Sequence, residues 1–506
     1  VSSDAGPPER ISFFEEQARW RRRTWRASAV CGLASLLMGA PLAVLVTPAV
    51  VLVAGIVLKS IPGNESAAAA LAGLIRSIPA SIAVAFDEEN LWGFLHPRTL
   101  AGLLLLLVPG MVLLFGIWLS LRARFRAVGT APLLSSLGAR PLRGDQVEEI
   151  QFGNVIEEMA IACGCPEPHV SFLDLEGANA GVLGVSENEA AVVGSRGLLT
   201  GLGRDETQAV AAHLIGSVAN GDLRILASLN ALFQSMGLVL LALDAAFALS
   251  PSAARDLFRT LRFLLGGGRD SEEAAALEEI LAGRVLELRE DGLHGLTSDL
   301  RKPRPETRIG KMVKRAPPLY VVLVPFLLLY TASLVLRWQV FLLRLLLAGP
   351  MVMGVWRSRR YLADAAAVRL TRNPDALARA LERLSVQGVL LSKARWAEPL
   401  FVVGAESAGG GGRGAWSREL GGVVGSHPPL GKRLERLSAM GGIDLRGAKS
   451  LRGASGALTL GALVRSPLLL TIASMFFLIA VVSMGIAAAT SIALTLVELE
   501  LVLALL

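Results

Sequence analysis

The sequence predicts an α+β membrane protein, a small domain of helices and short strands interleaved with about five transmembrane helices. Three observations carry this. The 506-residue chain is 53% hydrophobic with a mean hydropathy of +0.53, too apolar for an ordinary soluble protein. Its apolar residues gather in runs long enough to cross a bilayer, several of them flanked by arginine. Between the second and third runs the pattern changes to the alternating short strands and helices of a folded domain. The formal charge of +7 comes largely from arginines beside the apolar runs. No nucleic-acid motif accompanies it, so membrane lipid is the expected partner and nucleic acid is not.

Residues 1–26 form a polar amino-terminal segment ending in Arg19, Arg21, Arg22, Arg23 and Arg26. Residues 27–121 are expected to hold two transmembrane helices joined by an external loop. The first apolar run, Ala27–Leu58, contains Pro41 and Pro48 and is long enough to span with a tilt or kink. In the mildly acidic loop Lys59–Pro97, residues Glu65–Phe86 read as an amphipathic helix on the membrane surface. The second run, Thr99–Ser120, ends in Arg122, Arg124 and Arg126. Arginine before the first run and after the second puts the amino terminus and the following domain in the cytoplasm.

Residues 122–224 form the first part of that domain. A helix is expected near Gln146–Cys163, strands at His169–Asp174 and Ala190–Ser195, and then a helix beginning near Gln208. Residues 225–343 read as a transmembrane hairpin, with apolar runs at 225–249 and Pro318–Leu343. Its two arms enclose an insertion of about sixty-five residues, helical and charged at Ser271–Glu290, then basic from Arg301 to Arg315. A solvated basic linker is the plain reading of that cluster; a lipid- or partner-binding patch is the other. Residues 344–460 return to the domain, with helices expected over Leu345–Arg360 and Asp375–Leu384 and a glycine-rich loop at 409–414. Residues 461–506 close the chain as a transmembrane helix or hairpin, Ser466–Leu506 being almost free of charge.

Only three cysteines occur, Cys31, Cys163 and Cys165, so no disulfide framework is implied. Cys163-Gly-Cys165 with His169 lacks the partner cluster a zinc site needs.

The chemistry-bearing stretch is Gln208–Arg224, QAVAAHLIGSVANGDLR. Asp205 can cap it, and Val210, Ala211, Leu214, Ile215 and Val218 give it an apolar face at helical spacing. In zinc peptidases the pattern H-E-x-x-H on such a helix sets two histidine ligands on one face, with the glutamate as general base. Here those five positions are His213, Leu214, Ile215, Gly216 and Ser217.

The surrounding blocks resemble the HtpX-like branch of the membrane zinc metallopeptidases, related to the CAAX prenyl endopeptidases. Ala212, His213, Asn220, Gly221 and Asp222 fall in register with the family's "A-H-E-x-x-H-x-x-N-G-D". Asn179-Ala180 and Val192–Leu199 look like its "N-A-F" and "V-x-x-T-R-G-L-L". Arg359–Ala365 resembles "R-E-[FY]-L-A-D-A", and His427–Leu430 resembles "H-P-P-L-x-x-R". The resemblance implies a zincin-like cytoplasmic domain formed by 122–224 and 344–460, in a bacterial inner membrane. It implies substrate contacts at Asn179, Ala180 and His427, beside an edge strand that pairs with an extended peptide. It also implies a third zinc ligand where this chain has Arg360.

With His213, Ser217 and Arg360 at the ligand positions and Leu214 at the base position, the expectation is a pseudopeptidase with no catalytic residue and no zinc. Asp222, Asp364 and Arg360 become structural groups: Arg360 is expected to turn into the site and pair with Asp364 or Asp222, while His213 and Ser217 accept hydrogen bonds from it. The functions that follow are a scaffold or binding protein for other membrane proteins, or an accessory subunit of a stable membrane complex. A third is an active zinc endopeptidase with substitute ligands drawn from His213, Asp222, Asp364 and His427.

Overall fold

The computed structural model describes residues 12–87, 96–247, 251–264, 349–387, 400–404 and 427–441, with positions 489, 492 and 496. In chain order the helices are α1 (Phe13–Ser60), α2 (Glu65–Asp87), α3 (Pro97–Val128), α4 (Ala131–Leu137), α5 (Val147–Cys163), α6 (Arg196–Gly201), α7 (Arg204–Ala219), α8 (Asp222–Phe247) and α9 (Pro251–Leu264). After the insertion come α10 (Gly349–Thr371), α11 (Pro374–Gln387) and α12 (Leu430–Gly441). The strands are β1 (Arg140–Pro141), β2 (His169–Leu173), β3 (Ala180–Leu183) and β4 (Ala191–Ser195).

Among the described residues two helical stretches are long and apolar enough to cross a membrane: Gly39–Ser60 of α1, and α3. They run antiparallel. At their crossing the Thr47 hydroxyl enters a turn of α3, 2.5 Å from the Leu106 carbonyl oxygen and accepting the Gly110 N–H at 3.1 Å. A Cβ on Gly110 would lie 1.9 Å from the Ala43 carbonyl oxygen, so the approach requires glycine. Residues Glu65–Phe86, expected to form an amphipathic helix, lie within α2 and pack along this pair. Ile75, Ile78 and Ile82 of α2 join Val51 and Leu106 in one buried cluster, against which Ile492 and Leu496 also pack. An α2 alone on a bilayer surface would leave that isoleucine row to lipid; helix-on-helix packing buries it.

The expectation of about five spans is thus matched only in its first two. The third run is α8, whose Leu238 and Leu241 pack against Leu257 and Leu264 of α9. Residues Pro318–Leu343, most of the insertion, the glycine loop and most of 466–506 fall outside the described residues.

The folded domain is a four-stranded mixed sheet with helices packed on it. The strand order is β1-β2-β4-β3, with β2 and β4 parallel and the outer pairs antiparallel. β4 is buried at all five positions, and its apolar run reads as a central strand accordingly. α5 carries Glu148 and Glu149 in its first turn and ends at Gly164, whose φ of +70° allows the left-handed cap. Phe152, Ile156 and Met159 of α5 meet Phe172, Val192 and the apolar face of α7 in the main core, which α11 and α12 complete with Leu377, Leu381, Leu384, Leu434 and Leu437. α7 is therefore enclosed on all sides, and Ala209–Val218 are buried throughout.

Candidate functional site

The site lies where α7 crosses α10. Asp205 does not cap α7: the helix starts a residue earlier, after Gly203, and the Glu206 carboxylate reaches back to accept the Gly203 N–H at 2.9 Å. Glu206 is itself buried and held by Arg383 at 2.9 Å. Gly216 lets the two helices close, since a Cβ there would meet Ala366 Cβ at 2.8 Å.

His213 is completely buried. Its Nδ1 lies 2.9 Å from Asp364 Oδ1, at an angle too oblique for a full hydrogen bond. Its Nε2 lies 3.5 Å from Arg360 Nη1. A guanidinium only donates, so Nε2 is the accepting nitrogen and Nδ1 carries the proton toward Asp364. Burial pushes the imidazole below its usual pKa; the Asp364 contact opposes this, without reversing it. The ring is neutral, and its free electron pair faces a cation.

Asp364 is committed to Arg433 of α12, which donates Nε and Nη2 to it at 2.9 and 2.7 Å and Nη1 to the Val402 carbonyl at 2.8 Å. Burial alone would raise the Asp364 carboxyl. The Arg433 charge and its two hydrogen bonds, with the His213 contact, outweigh it and hold the group well below the usual carboxylate range. Asp222 is taken by Arg359 Nε, while Arg359 Nη2 donates to the Asn220 carbonyl. This corrects the expected pairing of Arg360. The guanidinium does turn into the site and is 3% exposed, but it makes no ion pair with Asp364 or Asp222. Asp364 already has a bidentate arginine in Arg433, and Asp222 has the Nε of Arg359. Burial pulls the Arg360 guanidinium down to about 10, the charge of Asp222 partly opposing this; it stays protonated at neutral pH. Ser217 Oγ is buried and has no hydrogen-bond partner among the described residues.

The three residues expected to hold substrate hold the chain itself. Asn179 Nδ2 donates to the Val403 carbonyl at 2.8 Å, and its Oδ1 accepts from Val403 N at 3.4 Å and Ala180 N at 3.0 Å. The Ala180 carbonyl accepts the Val402 N–H at 2.8 Å, and Gly181 bridges Phe401 in antiparallel register. His427 Nε2 lies 2.8 Å from the Phe401 carbonyl oxygen. Phe401–Val403 fills the outer edge of β3 at Ala180 and Gly181.

Arg433, Arg359 and the 401–403 segment were missed by reasoning from the sequence. Arg433 ends the H-P-P-L-x-x-R block and Arg359 opens the R-R-Y-L-A-D block, so both signals were present. Cys163 and Cys165 lie thiol to thiol, and burial together with the Cys163 contact pushes Cys165 up to about 12.

The zinc that the family resemblance implies needs three donors and a free coordination position. Among the described residues no three His, Cys, Asp or Glu side chains converge. His213 Nε2 faces a guanidinium, Ser217 offers a neutral hydroxyl, and Asp364 and Asp222 are engaged by arginine. These residues do not fit the metal.

A buried histidine helix, backed by a small mixed sheet, crossed by an aspartate-bearing helix and joined to apolar spans, defines a membrane protein of metallopeptidase-like build. The chain belongs to peptidase family M48, as an HtpX-like member; the family's sequence model matches residues 147–276 and 313–441. It is 26% identical over 302 residues to a protease HtpX homolog of Streptococcus uberis, covering 60% of this chain and 76% of that one. A protease HtpX homolog of Listeria monocytogenes is 27% identical over 287 residues, covering 57% and 72%. That of Ligilactobacillus salivarius is 24% identical over 339 residues, covering 67% and 86%. No solved structure matches the chain significantly.

Proposed function

We propose that this chain is a membrane-embedded M48 homologue that holds no zinc, does not hydrolyse peptides, and serves as a scaffold or binding protein for other integral membrane proteins. The observation that carries this is the 3.5 Å approach of Arg360 Nη1 to His213 Nε2. The nitrogen that would ligate a metal accepts instead from a permanent cation, and a dication beside that guanidinium would be repelled. The His213–Asp364 contact is the outer-shell arrangement that orients a ligand histidine, persisting here around an arginine. The arginines at the ends of α1 and α3 support a cytoplasmic side for the domain, in a bacterial inner membrane. Client proteins are not held by pairing at Ala180 and Gly181, since Phe401–Val403 takes that edge.

The test is purification of the whole chain in mild detergent with three readouts: zinc per chain, cleavage of an unfolded membrane protein, and co-purifying proteins. The expected result is far less than one zinc, no cleavage, and substoichiometric membrane-protein clients. One tightly held zinc with chelator-sensitive cleavage overturns the proposal in favour of an active endopeptidase. A constant stoichiometric partner replaces the scaffold with an accessory subunit of a stable complex.

A further inference from the structure

We propose that the arginine ridge at the membrane entry of α1 is a binding site for the headgroup of an anionic phospholipid. It is independent of whether the α7–α10 site holds metal.

The ridge follows from how α1 is locked. Glu16, Trp20 and Thr24, four residues apart, form its buried face. The Trp20 ring stacks on Tyr361 of α10 at 4.5 Å, and its Nε1 donates to Glu16 at 2.8 Å. Arg436 of α12 lies 4.5 Å over both rings and pairs with Glu16. This clamp fixes the rotation of the helix about its axis. Arg19, Arg22, Arg23 and Arg26 recur at three- and four-residue steps, so they share another face, and all four are exposed.

Little among the described residues neutralises them. Arg19 has Glu16 at 3.6 Å. Arg21, Arg22, Arg23 and Arg26 have no acidic partner among the described residues, and Arg23 rests over Trp20 at 5.0 Å. The end of α3 adds to the same level. α1 and α3 are antiparallel, with Thr47 against Gly110 and Gly39 against Leu114. Carrying that register toward the amino terminus puts Arg26 beside the Arg122–Arg126 end of α3, where Arg126 is exposed. Trp25, 73% exposed, projects among these arginines at the start of the apolar run.

Because α1 is one unbroken helix from Phe13 to Ser60 and its apolar run begins at Ala27, Arg22, Arg23 and Arg26 stand within about 8 Å of the start of that run along the helix axis. Forked guanidinium donors match phosphodiester oxygens, and an exposed indole suits the boundary between headgroup and acyl chain. An uncompensated cationic ridge held at that depth is complementary to an anionic lipid, not to a zwitterionic one.

The experiment uses the full chain in a neutral detergent, titrated with phosphatidylglycerol or phosphatidylcholine, with retained lipid counted by native mass spectrometry. Wild type should retain phosphatidylglycerol preferentially. The R22Q/R23Q/R26Q variant should bind it about a hundredfold more weakly, at about a factor of five per arginine. R22K/R23K/R26K should keep most of the affinity. Should the glutamine variant fail to fold, wild-type retention must drop steeply between about 0.05 M and about 0.5 M salt. Equal retention of both lipids, unchanged affinity in the glutamine variant, salt-insensitive retention, or full competition by inorganic phosphate would each overturn the proposal.

Discussion

Arg433→Ala should be among the most damaging single substitutions in the domain. The side chain is 2% exposed and gives Asp364 two hydrogen bonds at 2.7 and 2.9 Å, and Val402 a third. Truncation leaves a 3% exposed carboxylate with only the oblique His213 contact, and breaking such a buried pair costs about 3–5 kcal/mol. At about 2–4 °C per kcal/mol for a unit of this size, the melting temperature should fall by about 6–20 °C. Tryptophan-fluorescence melting of the detergent-purified protein, repeated at two scan rates, measures it. Arg433→Met with Asp364→Leu removes both charges in similar volume and should recover most of the loss.

The pH dependence follows from the sign of the shift. The folded carboxyl lies below its unfolded value of about 3.9, so its stabilisation is present above that value and fades as pH falls toward the folded one. The unfolded chain is common to both proteins, so the difference between wild type and Arg433→Ala should be full above the carboxyl's value in the variant, which burial without Arg433 raises above the ordinary one, and should shrink as pH falls below it. A variant melting within about 2 °C of wild type would refute the reasoning, as would a double variant no better than the single.

Three further outcomes are expected. His213 is held neutral below its ordinary value, so as pH falls through about 6.5 the unfolded chain gains a proton the folded one refuses, and stability should drop by up to about 1.4 kcal/mol per pH unit; urea melts of wild type and His213→Gln at pH 7.5 and 5.5 would show the slope in the former alone. Asn179→Ala orphans the Val403 amide and carbonyl and should cost about 1–3 kcal/mol, with faster amide exchange at residues 401–403 as the local signature. Arg360→Glu adds a third carboxylate near Asp222 and Asp364 and should lower the melting temperature, and zinc should not restore it because Ser217 supplies no strong ligand; rescue by stoichiometric zinc contradicts this.

Much of the architecture was legible because it is written locally. The α5 boundaries follow from its apolar spacing and Gly164, and the β2 and β4 runs lie within a residue of where β-branched and apolar residues placed them. The arginine-flanked apolar runs of α1 and α3 needed only composition and length. The α7 cap went wrong by one small choice: Asp205 is a good capping residue, but Glu206 reaching back to Gly203 satisfies the same donors and uses Arg383 as well.

The sequence by itself determined which groups stand at the degenerate motif: His213, Leu214, Ser217 and Arg360 can be read in order, and their chemistry argued, without any fold. Only the tertiary structure decided who pairs with whom. Arg360 and Asp364 are one helical turn apart, and local spacing favoured their pairing; yet Asp364 is claimed by Arg433, sixty-nine positions away, and Asp222 by Arg359, at a separation of 137. Likewise nothing near Asn179 in the chain announces Val403, a separation of 224. A buried carboxylate takes the donor whose backbone lets it approach in the right plane, and that position is set by the packing of α7, α10 and α12, which no local pattern encodes.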